Sequence, residues 1–264
     1  MKKHKVKMEH SGERREFIKN AAMIAAGIGA AGSGLNEVLA GEKKITKEGK
    51  MEVAIYLYDQ MTVLDAIGPY EVLRCMPDTK VRFVAKKAGP IRVDSGIQLL
   101  NADYALSDVT APDILIVPGG NAVGQLGDKT VTDWIRAVHE KTKWTASVCT
   151  GSLILGAAGL LKGLQATTHW NALNFLKMFE AEPVKKRFVR QGKLITAAGV
   201  SAGIDMALML VALERGEELA QTIQLGIEYD PQPPFNAGSV DKASPSVVDK
   251  SKKMLSELYS VQKR

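Results

Sequence analysis

Lys143-Trp144-Thr145-Ala146-Ser147-Val148-Cys149-Thr150-Gly151-Ser152-Leu153-Ile154-Leu155 passes from a β pattern to a helix within two residues. Residues 143–148 read as a buried strand and residues 151–161 as a helix, so Cys149-Thr150 forms the turn between them. A strand feeding a helix this abruptly is one unit of a parallel sheet, whose crossovers require helices.

The chain on either side repeats the unit. Strands are expected at Val53–Tyr58, Val81–Ala85 and Asp113–Val117, the last ending at Pro118-Gly119-Gly120. Helices are expected from Gly68-Pro69 through Leu73, at Val131–Thr142, at Gly203–Leu213 and from Glu217 to about Ile227. Arg187–Ile195 reads as a hairpin turning at Gln191-Gly192, and Val247–Gln262 as a polar terminal helix. The fold expected is α/β, a three-layer sandwich around a mostly parallel sheet covered by helices on both faces. Such sheets carry their sites at the carboxyl ends of the strands. Three segments fall there: the loop after the first strand, Pro118-Gly119-Gly120, and Val148-Cys149-Thr150-Gly151.

The 264 residues carry a formal charge of +6, with 45% hydrophobic and 24% charged residues. Residues 1–40 contain seven Lys/Arg and four Asp/Glu, which leaves 28 against 25, or +3, for the remainder. That surplus is no polyanion footprint, so nucleic acid is not expected as a partner. The basic leader holds Arg14-Arg15-Glu16-Phe17-Ile18-Lys19, a weakly apolar stretch from Ala21 to Gly34, and Val38-Leu39-Ala40 at its end. It reads as a twin-arginine signal peptide over 1–40, followed by a linker at 41–50. The expectation is export to the periplasm by the twin-arginine machinery, with no membrane association after cleavage. Cys75, Cys149 and four histidines show no metal-ligand spacing, so neither metal nor cofactor is expected. A disulfide between the two cysteines is not required in a domain of this size.

Cys149 is the first candidate for chemistry. A tight turn lifts the side chain above the sheet, and the helix start offers unpaired N–H groups that favour a thiolate in an open pocket. A buried core cysteine fits the same residues. Asp65 lies in Met61-Thr62-Val63-Leu64-Asp65-Ala66-Ile67-Gly68-Pro69, where desolvation raises a carboxyl's pKa and suits it to proton transfer. A helix cap fits it equally. Gly119 and Gly120 offer backbone N–H groups to developing negative charge, and Thr150 adds its own N–H and a hydroxyl. His169 is a secondary pocket candidate, and Cys75, with no turn beside it, is structural.

These residues together resemble the ThiJ/PfpI superfamily, with its class I glutamine amidotransferase-like, flavodoxin-like fold. The resemblance covers about residues 51–245, leaving 246–264 as a terminal helix on or beyond the domain. It rests on Leu64–Leu73, on Val117-Pro118-Gly119-Gly120 and on the cysteine turn. More specific are Ala166-Thr167-Thr168-His169-Trp170, Ile195–Asp205 and Ile227–Phe235, which resemble isonitrile hydratases and the amino-terminal domains of AraC-type regulators. No helix-turn-helix pattern follows the shared region, which favours the enzyme. The resemblance implies a homodimer acting on a small molecule, with Asp65, Cys149 and Thr150 in catalytic positions. It implies hydration of an isonitrile to an N-substituted formamide. Many relatives that act on peptides or glyoxals have His after the cysteine, where this chain has Thr150. Two other readings remain open: a glyoxalase-like or amidase enzyme using the same cysteine, and a non-enzymatic redox or stress-response protein.

Overall fold

The structure is a computed structural model that describes residues 50–93, 96 and 99–261. The expected signal peptide and, apart from Lys50, the linker lie outside the described residues. Among the described residues eleven strands are assigned: β1 Met51–Tyr56, β2 Thr79–Ala85, β3 Gly89–Arg92, β4 Leu99–Ala102, β5 Tyr104–Ala105, β6 Ile114–Val117, β7 Trp144–Val148, β8 Gln165–Ala166, β9 Glu182–Pro183, β10 Phe188–Gln191 and β11 Leu194–Ala197. The helices are α1 Val63–Leu73, α2 Val123–Leu126, α3 Lys129–Lys141, α4 Gly151–Ala157, α5 Ala202–Arg215, α6 Glu217–Gly226 and α7 Pro245–Val261, with a 3-10 stretch at Trp170–Phe179.

Seven strands form the main sheet in the order β10-β11-β7-β6-β1-β2-β5. All its pairings are parallel except β10 with β11, the expected hairpin, whose turn is Gly192-Lys193 rather than Gln191-Gly192, with Gly192 at φ 61°. Every residue of β6 and all of β1 except Glu52 are buried, because a parallel sheet has helices over both faces. From β1 the chain crosses by α1 to β2 in one direction, and from β6 by α3 to β7 in the other. Right-handed crossovers therefore put α1 and α3 on opposite faces. On one face α1 packs against α5, and on the other α3 packs against α4. The direction reverses between β1 and β6, so the crevice of this doubly wound sheet opens between their carboxyl ends.

Gly68-Pro69 does not open the first helix. It lies inside α1, which begins at Val63 after Thr62 in extended conformation. The pair instead lets two helices approach. A Cβ on Gly68 would stand 3.1 Å from Cγ1 of Ile204, and one on Gly203 would stand 3.2 Å from Cγ of Pro69. The small side chains mark the α1–α5 contact. The helix after Cys149 ends at Ala157 rather than Leu161, and Gly159 at φ 80° turns the chain away. The antiparallel pair β3–β4 and the parallel pair β8–β9 lie outside the main sheet, and their short, half-exposed strands carry little periodicity. The terminal helix, expected at 247–262, starts at Pro245 and leaves Met254 and Leu258 exposed.

Among the described residues no helix is long and apolar enough to cross a membrane. At the opposite end of the sheet from the crevice, Arg82 of β2 is 4% exposed and holds both oxygens of Glu52, at 2.5 and 2.7 Å. Its guanidinium also lies over the ring of Tyr104, 4.5 Å from the centroid. Removing one partner of a buried pair strands the other charge, which costs far more than a surface pair contributes. Glu52→Ala is expected to lower stability in urea unfolding by about 3 kcal/mol. A loss below about 1 kcal/mol would show that Arg82 is satisfied without the carboxylate.

Candidate active site

Cys149 follows the last residue of β7 and precedes α4 by one residue, in left-handed conformation at φ 57°. A non-glycine residue held there stores about 1–3 kcal/mol of strain, and the surroundings fix it. Its N–H donates to the carbonyls of Ala197 and Ala198, at 3.1 and 2.9 Å. Its carbonyl accepts the hydroxyls of Thr168 at 2.8 Å and Ser152 at 3.2 Å. Both hydroxyl residues are buried, so the turn's backbone is anchored from two sides. A Cβ on Gly151 would overlap the carbonyl of Val117, which is why the helix must start on glycine.

Asp65 lies in the first turn of α1 and is fully buried. It does not cap the helix, since that position belongs to Thr62. Its Oδ2 accepts the N–H of Gly119 at 2.9 Å, across 54 residues of sequence. Gly119 in turn lies against the cysteine: a Cβ there would stand 2.8 Å from Cβ of Cys149 and 2.6 Å from Oγ1 of Thr150. Gly119 thus separates the carboxylate from the cysteine turn by a single backbone unit. The turn is locked from both sides. Thr62 donates to the carbonyl of Gly119 at 2.9 Å, and Asn121 to that of Gln60 at 3.0 Å. Gly120, at φ 126°, bridges Met61.

Gly119 and Gly120 were expected to offer free N–H groups. Both are taken: Gly119 by Asp65, and Gly120 by Oγ1 of Thr150 at 2.8 Å. The same hydroxyl donates to the Gly120 carbonyl at 2.9 Å. These glycines therefore position Asp65 and Thr150 and form no open oxyanion hole. The backbone N–H groups of Thr150 and Val200 are the donors that favour a charged sulfur. Val200 was not singled out as a site residue, and neither were Thr168 and Ser152. A backbone N–H delivered by a loop has no residue-type signature.

The thiol was expected in an open pocket as a ready thiolate. Instead Cys149 is 3% exposed. Burial, and then the negative charge of Asp65, push the thiol well above its ordinary value, and the neighbouring backbone donors only partly offset this. Two acidic groups in one dry site oppose each other's ionisation. His169 is half-buried, and burial lowers its pKa. Its Nδ1 accepts the N–H of Asn171 at 3.3 Å, and its ring lies against Gly199. It therefore reaches the site through the loop that carries Val200. Cys75 is free, as is Cys149, and its Sγ donates to the carbonyl of Glu71 at 3.3 Å, a helix-wall contact. Among the described residues no group of His, Cys, Asp and Glu is arranged to hold a metal ion. A cleft of about 340 Å³ lies at the ends of β1 and β2, lined by Tyr58, Asp59, Lys86, Pro90, Ile91 and Gln125 among others. It includes neither Cys149 nor Asp65.

Asp65→Asn deletes the charge that opposes thiolate formation. Iodoacetamide labelling of Cys149 at neutral pH, read by peptide mass, is expected to accelerate about tenfold, the value of one pKa unit. An unchanged or slower rate would show that Asp65 exerts no charge on the sulfur.

A model of the DJ-1/PfpI family matches residues 51–213. The isonitrile hydratase of Pseudomonas putida is 44% identical over 204 residues, 77% of this chain and 89% of that protein. The transcriptional regulator CdhR of Pseudomonas aeruginosa is 32% identical over 169 residues, 62% of this chain and 49% of that one. A crystal structure of a ThiJ/PfpI family protein from Pseudomonas syringae superposes with a TM-score of 0.76 at 34% identity, covering 85% of this chain and 95% of that one. Drosophila melanogaster DJ-1beta, at 20% identity and a TM-score of 0.62, shares the fold. The flavodoxin-like fold is thus shared with ThiJ/PfpI proteins, and the chain belongs to the DJ-1/PfpI family.

Proposed function

We propose that this protein hydrates a small isonitrile to an N-substituted formamide, with Cys149 as nucleophile and Asp65 as acid and base. The observation that carries the reading is the buried pairing of Cys149 with Asp65 across Gly119. The likeness to an isonitrile hydratase over most of both chains supports the same chemistry.

The site suits that substrate for two reasons. An isonitrile is neutral and carries no hydrogen-bond donor, so it enters a dry site with little desolvation cost. Addition of sulfur to its terminal carbon also creates no oxyanion. That matters here because the N–H groups of Gly119 and Gly120 are already engaged. A glyoxalase or amidase develops negative charge on a carbonyl oxygen at its first step and depends on such donors.

The steps follow from one shared proton. Asp65 takes it from the thiol as sulfur attacks the terminal carbon of R–N≡C, and delivers it to that carbon, giving a thioimidate R–N=CH–S. Asp65, again a carboxylate, removes a proton from water as the oxygen adds to the same carbon. The nitrogen takes up that proton. Collapse breaks the carbon–sulfur bond, the hydroxyl proton returns to the Asp65–Cys149 pair, and R–NH–CHO leaves. Splitting one hard addition into two lowers each barrier. The N–H groups of Thr150 and Val200 stabilise the negative charge on sulfur as it attacks and on its expulsion. Thr150 also holds the Gly119-Gly120 turn in place through its hydroxyl.

With cyclohexyl isocyanide as substrate, Cys149→Ala is expected to abolish formamide production. Asp65→Asn is expected to reduce kcat by about 100- to 10,000-fold, even as it makes the thiol easier to alkylate. Full activity in Cys149→Ala would end the proposal. Turnover of methylglyoxal but not of the isonitrile would transfer the same site to the carbonyl reading.

A further inference from the structure

Two sequence motifs, Ile195–Asp205 and Ile227–Phe235, have only a partial place in the chemistry so far, and they meet in space. Asp205, in the first turn of α5, accepts the hydroxyl of Tyr229 at 2.8 Å through one oxygen. Its other oxygen accepts Nε of Arg187. Arg187 then holds the loop 198–201 at both ends. Its Nη2 donates to Oγ of Ser201 at 3.1 Å, and its carbonyl accepts the N–H of Ala198 at 2.9 Å. Tyr229 is fixed by reciprocal bonds with Gln224, N–H to carbonyl at 3.0 Å and Nε2 to carbonyl at 3.1 Å. On the loop's other side lies His169, whose Cδ2 would be 2.7 Å from a Cβ on Gly199.

Val200 sits between these restraints at φ 29°. A β-branched residue adopts such a backbone only where its surroundings impose it. The restraints come from three separate stretches of chain: the residue before β10, the start of α5, and the segment after α6. The side chains of Arg187 and Asp205 are 46% and 29% exposed, so the ion pair itself adds little to global stability. What the cluster does fix is local: the direction of the Val200 N–H.

We infer that Asp205 is a positioning residue for the nucleophile: through Arg187, Ser201 and Tyr229 it holds loop 198–201, whose Ala198 carbonyl accepts the N–H of Cys149 at 2.9 Å, so that the Val200 N–H is directed to the sulfur. The inference rests on Cys149 as the nucleophile, yet its test needs no isonitrile turnover. Iodoacetamide labels the thiolate, and the fraction of thiolate depends on the donors that face it. Losing one hydrogen bond to a charged acceptor is expected to slow Cys149 labelling about tenfold.

Asp205→Ala should show that tenfold loss at fixed neutral pH, and Asp205→Glu should recover most of the wild-type rate. Tyr229→Phe, which removes only one hydroxyl, should slow labelling about threefold, the lesser effect of one neutral bond; it also serves if Asp205→Ala fails to fold. Leu208→Ala weakens α5 by trimming a residue packed on the core and leaves the cluster intact, so it should keep the wild-type rate. Equal or faster labelling in both Asp205→Ala and Tyr229→Phe, including no labelling of any protein, would overturn the inference. An equal loss in Leu208→Ala would do the same, by showing general destabilisation. Should these rates behave as stated while no isonitrile is consumed, the proposed reaction fails and the positioning role stands.

Discussion

One constraint organises the site: a carboxylate and a thiol are buried together with a single glycine backbone between them. Asp65 is held by the N–H of Gly119, and Gly119 presses on Cys149 and Thr150 so closely that no side chain fits there. In so dry a space two negative charges are not tolerated, and burial together with the carboxylate drives the thiol's pKa up. In the proposed reaction the chemistry begins from a pair holding one proton. That arrangement suits a reaction that must both form a carbon–sulfur bond and deliver a proton to the same carbon.

The sheet exists, in functional terms, to bring three distant segments to this point. Reversal of winding between β1 and β6 opens a crevice, into which the first turn of α1 brings Asp65 and the turn after β6 brings Gly119-Gly120. The next strand, β7, delivers Cys149 in a strained turn. Beyond it the end of β11 supplies the carbonyl of Ala197 for the cysteine N–H, and the loop with Val200 supplies that of Ala198. Thr168 closes the ring by binding the cysteine carbonyl. Each contact joins residues far apart in sequence, so the reactive geometry forms only when the whole sheet does.

How much of this was legible beforehand depends on the kind of signal. Strands alternating with helices gave the parallel sheet, and the apolar run of β6 marked a strand buried on both faces. The strand-to-helix change around Cys149 gave the turn, and an acidic residue among Val, Leu and Ala gave Asp65. Gly68-Pro69 misled, since small residues serve a helix start and a close helix crossing alike, and here they serve α1 against α5. The free donors assigned to Gly119 and Gly120 were misjudged because a glycine turn says nothing about what its N–H groups will meet. The same blindness hid Val200, whose contribution is a backbone direction set by Arg187 and Asp205. Periodicity reports burial, and it is silent on loops.

The most direct test of the account is the protonation of the sulfur itself. An infrared difference spectrum between wild type and Cys149→Ala at neutral pH isolates the S–H stretch of Cys149 from that of Cys75. The account predicts an S–H band in wild type, because the carboxylate keeps the proton on sulfur until substrate arrives. A spectrum with no such band, and with a protonated carboxyl band that disappears in Asp65→Asn, would contradict it.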